Sequence, residues 1–193
     1  LFTILLAVLL LVAVWLLSGK TIINLIQKFF TVRLFGRKIF QIARKYDYMV
    51  FHNFQFDVGE RHAVIDHILF GDKFIYLIVD KYYNDGLSGN LNDNKWFYYS
   101  KRKMTYVLDK NPMRTNAVRT EKFSLITQID REFLISVVAV NDDAILDDIQ
   151  GDDNNHICHI SDLESLIRKM ESRDMDPLDE AQAQQVIQEL YTI

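Results

Sequence analysis

Ala63-Val64-Ile65-Asp66-His67-Ile68-Leu69-Phe70-Gly71-Asp72-Lys73-Phe74-Ile75-Tyr76-Leu77-Ile78-Val79-Asp80-Lys81 is the stretch that decides the fold. Two runs of β-branched, aromatic and aliphatic residues flank Gly71-Asp72-Lys73, which has the composition of a turn between strands. The second run, from Phe74, stays apolar at both phases of a period-two alternation until Asp80, as a central strand covered on both faces requires. Ionisable residues interrupt this apolar pattern at two places, Asp66-His67 in the first strand and Asp80-Lys81 at the end of the second. An Asp and a Lys set into such strands look reactive, while His67, next to Asp66, reads as a strand neighbour on the opposite face.

Working outward, residues 48–56 read as a further strand, followed by a turn at Val58-Gly59-Glu60. Downstream, Leu87-Ser88-Gly89-Asn90 reads as a turn region and 96–99 and 104–108 as short strands. Asn111-Pro112 opens a helix to about Gln128, 133–140 is a buried strand, and 156–160 a shorter one. Ser161-Asp162-Leu163-Glu164 has the form of a capping box, and Asp176-Pro177 starts a last helix. Strands first, then helix, strand, strand, helix and helix, give an α/β domain with a mixed central sheet flanked by helices.

Leu1–Leu17 is an almost unbroken apolar run with Thr3 as its one polar interruption, near the lower length limit for a membrane-crossing helix. No basic stretch precedes it and no small-x-small cleavage pattern precedes Ser18, which favours a retained anchor over a signal peptide. The cations Lys20, Lys28, Arg33, Arg37, Lys38, Arg44 and Lys45 all come before the first acid, Asp47, and would place the following domain in the cytoplasm. The expected organisation is a transmembrane anchor at 1–18, a basic amphipathic juxtamembrane helix at 19–45, and an α/β domain at 46–193. Within the second segment, 39–43 reads better as the first core helix of the domain. Residues 1–45 would then meet membrane lipids.

The 193 residues carry a formal net charge of -4, but the charge is unevenly spread. Between Tyr46 and Asn141 acids and bases balance at 12 each, and the excess acid follows in Asp142, Asp143, Asp147, Asp148, Asp152, Asp153 and the final helices. Nucleic-acid affinity rests largely on cations facing phosphates, so the charge does not favour a nucleic-acid partner. Lys101-Arg102-Lys103 is the one cationic run after Lys45 and reads as a solvated turn. A single cysteine, Cys158, excludes an internal disulfide.

Ile65-Asp66-His67-Ile68, the apolar strand ending in Lys81, then Tyr83, Gly86-Leu87-Ser88-Gly89, Trp96 and Asn111-Pro112 resemble, in order and spacing, the nuclease-related domain (NERD) family. The resemblance covers roughly Gly36 to Val140. It implies a restriction-endonuclease-like fold of the PD-(D/E)XK class, in which two carboxylates hold Mg²⁺ and a lysine orients or activates water. Asp66 matches the first acid and Lys81 the lysine, but the residue two before Lys81 is Val79 rather than Glu. Asp80 is an acid, yet on a regular strand it faces away from Lys81; a β-bulge would be needed to turn it inward. Gly36-Arg37 and Thr115 depart from the family's Gly-Glu and Gln in the same direction.

Two readings follow from this pattern. In the first, the chain is a membrane-anchored, cytoplasmic NERD-like domain with a degenerate nuclease centre, acting as a binding or scaffold module toward a protein partner. In the alternative it is a Mg²⁺-dependent nuclease cleaving DNA or RNA, with Asp66 and Asp80 as metal ligands and Lys81 on the water. The resemblance implies Mg²⁺ if the centre is intact and no metal if it is not. His156-Ile157-Cys158-His159 alternates its ligands between strand faces and reads poorly as zinc. The paired aspartates lack EF-hand spacing. Tyr82-Tyr83 and Trp96-Phe97-Tyr98-Tyr99 read as cross-strand packing rather than a base-stacking platform.

Overall fold

A computed structural model describes residues 33–58, 61–83, 85–99 and 106–192. A helix, α1, covers residues 33–46 and ends where Asp47 takes a left-handed φ of 58° and the Tyr48 N–H closes onto the Ala43 carbonyl at 2.8 Å. The strands β1 (Met49–Val58), β2 (Arg61–Phe70) and β3 (Ile75–Lys81) form an antiparallel run, joined by β7 (Leu134–Val140) and β9 (Asn155–His159) in parallel. The sheet order is β1-β2-β3-β7-β9. A second sheet, ordered β6-β5-β4-β8, contains β4 (Gly86–Asn90), β5 (Lys95–Tyr99), β6 (Tyr106–Lys110) and β8 (Ile145–Gln150). Helices α2 (Pro112–Thr127), α3 (Leu163–Glu171) and α4 (Glu180–Thr192) complete the domain.

Period-two alternation sorts β3 into two faces. Tyr76 and Ile78 pack with Leu69, Val137 and Ala139 against Phe35, Ile39 and Ile42 of α1 and Leu163 and Ile167 of α3. Ile75 and Leu77 face the other way, against Phe123 of α2 and Val186, Ile187 and Leu190 of α4. Every residue of β7 is buried, as a parallel strand between helical layers should be. Buried Asn116 of α2 ties that helix to the sheet, donating to the carbonyls of Leu77 and Val137.

A membrane-spanning helix ahead of the α/β domain, and with it the single-pass membrane placement, is not supported. No helix among the described residues is long and apolar enough to cross a membrane. Residues 1–18, on which the expectation fell, lie outside the described residues. The helix described nearest to them, α1, fails physically as a span. It turns Phe35, Ile39, Ile42 and Ala43 into the protein core while Arg33, Arg37, Arg44 and Lys45 face solvent.

Two expectations about local structure also change. Residues 87–90 are strand, not turn, and 145–150 form a strand that the acidic composition conceals. The capping box does not form: Asp162 is the N-cap and makes no side-chain cap hydrogen bond. Glu164 instead accepts hydrogen bonds from Lys45 Nζ at 2.6 Å and Tyr46 Oη at 2.9 Å, joining α3 to the end of α1.

A third cluster joins the two sheets: Val79, Leu87, Trp96, Met113, Val138, Val140 and Ala144, all buried. Gly89 has φ +154°, and the Trp96 indole lies over it where a Cβ would project. Replacing Gly89 with Ala is expected to destabilise the protein by about 1–3 kcal/mol through backbone strain and displacement of the indole, read from urea denaturation.

Candidate functional site

The β2–β3 ladder runs from Phe70↔Ile75 to His67↔Ile78 and stops there. Beyond it, a side chain supplies the acceptor that β2 would have given: the Asp80 N–H donates to Asp66 Oδ2 at 2.8 Å. One oxygen of Asp66 is thereby engaged by the backbone of the strand that carries the other site residues.

No bulge turns Asp80 inward. β3 pairs with β7 in continuous register from Ile75↔Leu134 to Lys81↔Val140, so strict alternation holds through the site. Val79 falls on one face and is 1% exposed in the apolar cluster with Leu87 and Trp96. Asp80 falls on the opposite face, with Ile78, where α1 packs. There its Oδ2 accepts from His67 Nε2–H at 2.9 Å, both side chains being 8% exposed. His67 stands opposite Ile78 across the ladder and so shares that face.

The chain of contacts continues to the protein surface. His67 Nδ1 lies 2.6 Å from His52 Nδ1, with the ring planes perpendicular and their centroids 4.9 Å apart. Gly36 of α1 packs close to the His67 ring, whose Cε1 would be in ordinary van der Waals contact, 3.8 Å, with a Cβ at that position. The Gly36-Arg37 pair of the sequence comparison thus lies over His67, with Arg37 exposed to solvent.

His52 was missed by sequence reasoning, although a signal existed. A hairpin turning at Gly59-Glu60 pairs residues whose numbers sum to a constant, which sets His52 against His67, as the observed register does.

Electrostatics follow from burial. Burial raises the proton affinity of Asp80, against the lowering influence of the His67 hydrogen bond. Its Oδ1 is buried without a partner. Partial desolvation of this largely exposed ring, and then the neighbouring His67, lower the pKa of His52 from the ordinary 6.5. The unfolded chain therefore takes up a proton at His52 before the folded chain does. The stability due to neutral His52 is present above pH 6.5 and declines as pH falls through the lowered value. His52→Gln is expected to flatten the slope of Tm against pH on the acid side of 6.5, measured by calorimetry at several pH values.

The remaining candidates are structural. His156 Nε2–H donates to the Asp153 carbonyl and His159 Nε2–H to the Ala144 carbonyl, while burial pushes the Cys158 thiol up to about 12. Asp152 accepts from the Asn154 and Asn155 N–H groups and folds its own loop. Trp96 is fully buried and donates Nε1–H to the Asn90 carbonyl, so it offers no face to a base. The run at 101–103 lies outside the described residues. Among the described arginines, Arg131 donates to Leu134 and Asn155, and Arg173 to Asn154 and Asp153, so these cations serve the fold. Among the described residues no group of three or more His, Cys, Asp or Glu is placed to hold a metal ion.

Comparison with known proteins assigns the class. The family model for the nuclease-related domain matches residues 34–141, more than half of the chain, and the chain belongs to that family. The match begins at α1, which therefore lies within the nuclease-like module. No curated protein and no solved structure matches the chain.

Proposed function

We propose that this nuclease-like module works as a binding or scaffold domain rather than as a phosphodiesterase. One observation carries the reading: at the position where a PD-(D/E)XK centre needs its second carboxylate, Val79 is built into the apolar cluster that joins the two sheets. The donor set does not fit Mg²⁺. A two-carboxylate magnesium site needs oxygens converging from adjacent strands. Here Asp66 accepts the Asp80 N–H, and the Asp80 carboxylate is engaged by His67 on the α1 face. Lys81 alternates with Val79 on β3, so it stands beside an aliphatic side chain where the pattern calls for a metal-binding one.

The occupant of the binding surface is proposed to be a protein. Charge supports this over nucleic acid: acids and bases balance between Tyr46 and Asn141, and the acid that follows outweighs the cations Arg33, Arg37, Lys38, Arg44 and Lys45 that α1 adds, while two of the arginines, Arg131 and Arg173, are engaged within the fold. Leu125 and Ile126 on α2, 79% and 51% exposed, offer apolar surface for such a contact.

One feature favours the alternative, a Mg²⁺-dependent nuclease using Asp66, Asp80 and Lys81: the unpartnered, buried Asp80 Oδ1. The experiment incubates the full chain with single- and double-stranded DNA and RNA in Mg²⁺ or Mn²⁺, beside an Asp66→Ala, Lys81→Ala double variant. Cleavage no greater than that of the double variant is expected. Cleavage abolished by the double substitution would establish the nuclease instead.

A further inference from the structure

We propose that His52 and His67 form a binding site for a divalent transition-metal ion of the zinc and cobalt class. The two Nδ1 atoms face each other at 2.6 Å. Two neutral imidazoles hold that contact only with one proton between them. His67 donates its Nε2–H to Asp80, which fixes its tautomer and leaves Nδ1 as a lone pair directed at His52. His52 Nδ1 then carries the shared proton. Replacing that proton with a metal ion, and releasing it to solvent, leaves two imidazole lone pairs converging on one point.

The geometry needs little adjustment. Metal–nitrogen bonds of about 2.0–2.1 Å in a tetrahedral site separate two ligand nitrogens by roughly 3.3 Å, so the rings must part by under about 1 Å. His52 is exposed and sits on β1, the edge strand of its sheet. The next residue, Asn53, has a left-handed φ of 55° and is absent from the β1–β2 pairing, so this part of the strand is not held by a regular rung. His67 by contrast is fixed, 7% exposed and braced by Asp80. A carboxylate behind a ligating imidazole orients the ring and raises its basicity, the arrangement found around zinc-bound histidines. With two protein ligands, water completes the coordination, as in open metal sites. The site prefers softer ions to Mg²⁺, because both ligands are imidazole nitrogens.

This inference does not depend on the scaffold reading, since a nuclease test reads Lys81 and oxygen ligands while this one reads His52. Calorimetric titration of the full chain with Zn²⁺ and with Co²⁺, beside His52→Ala and Asp80→Asn, tests it. One ion per chain is expected, at least tenfold weaker in His52→Ala and about 10- to 100-fold weaker in Asp80→Asn. His52 is exposed, so its truncation should leave the fold intact, and circular dichroism checks this. Absence of saturable binding, or equal affinity in the wild-type and His52→Ala chains, would overturn the proposal.

Discussion

Substituting His67 with Ala is expected to destabilise the protein by about 3–5 kcal/mol, because it leaves the Asp80 carboxylate buried with neither oxygen paired. In the native protein Asp80 Oδ2 is held by His67 and Oδ1 has no partner, so the imidazole is the chief side-chain group offsetting desolvation of the carboxylate, with a weaker attraction from Lys81. The sign of the pH dependence follows. Burial sets the folded proton affinity of Asp80 above its ordinary value, and loss of His67 raises it further. A carboxyl with a raised folded pKa favours folding when protonated, and that contribution is lost as pH rises through the folded value. The penalty in His67→Ala should therefore be larger at pH 8 than at pH 5, as read by urea denaturation at both. Adding Asp80→Ala should recover part of it, since the double variant leaves no orphaned charge. Equal destabilisation at both pH values would mean that the lost interaction is packing alone.

Truncating Trp96 to Ala is expected to cost about 3–5 kcal/mol, the range for emptying a buried aromatic site. Trp96 is fully buried, covers Gly89, and donates its indole N–H to the Asn90 carbonyl. It also packs in the cluster through which Val79 and Val138 of the first sheet meet Leu87 of the second. Its loss should therefore loosen the second sheet more than the first. Hydrogen exchange should show amides of β4 and β5 losing protection while those of β7 keep most of theirs. Uniform loss across both sheets would show that they unfold as one unit.

The central strand was legible because burial on both faces leaves a continuous apolar run from Phe74, and alternation correctly set Asp80 against Lys81. The helix at Asn111-Pro112 was equally plain: the Asn111 side chain accepts the Arg114 N–H at 3.0 Å, and Pro112 opens the first turn. The second sheet was harder to read. Gly86 and Gly89 look like turn residues, yet they are strand positions lying under the rings of Tyr99 and Trp96, contacts made only once β4 pairs with β5. β8 is hidden because Asp147 and Asp148 face solvent on an edge strand and Asp148 breaks the alternation with a left-handed φ of 46°. The apparent capping box failed because Glu164 found a better partner in Lys45, on a helix that sequence proximity does not reveal. At the site, Asp66 and Lys81 could be picked out through the resemblance to the NERD pattern, and Asp80 as the acid beside Lys81. His52 emerges only when its cross-strand partner is counted from the hairpin turn, since its importance comes from register rather than from its neighbours in sequence.

In the scaffold role proposed above, Val79 stands in the apolar cluster where a nuclease centre of that class would need a second carboxylate, while Asp80 accepts from His67 on the other face. Calorimetric titration of the full chain with Mg²⁺, alongside Asp66→Ala, addresses that arrangement through binding alone. No saturable heat is expected from either chain. A one-to-one Mg²⁺ site in the wild-type chain that Asp66→Ala abolishes would contradict it, and would mean that Asp80 or another acid has taken the place of the missing glutamate.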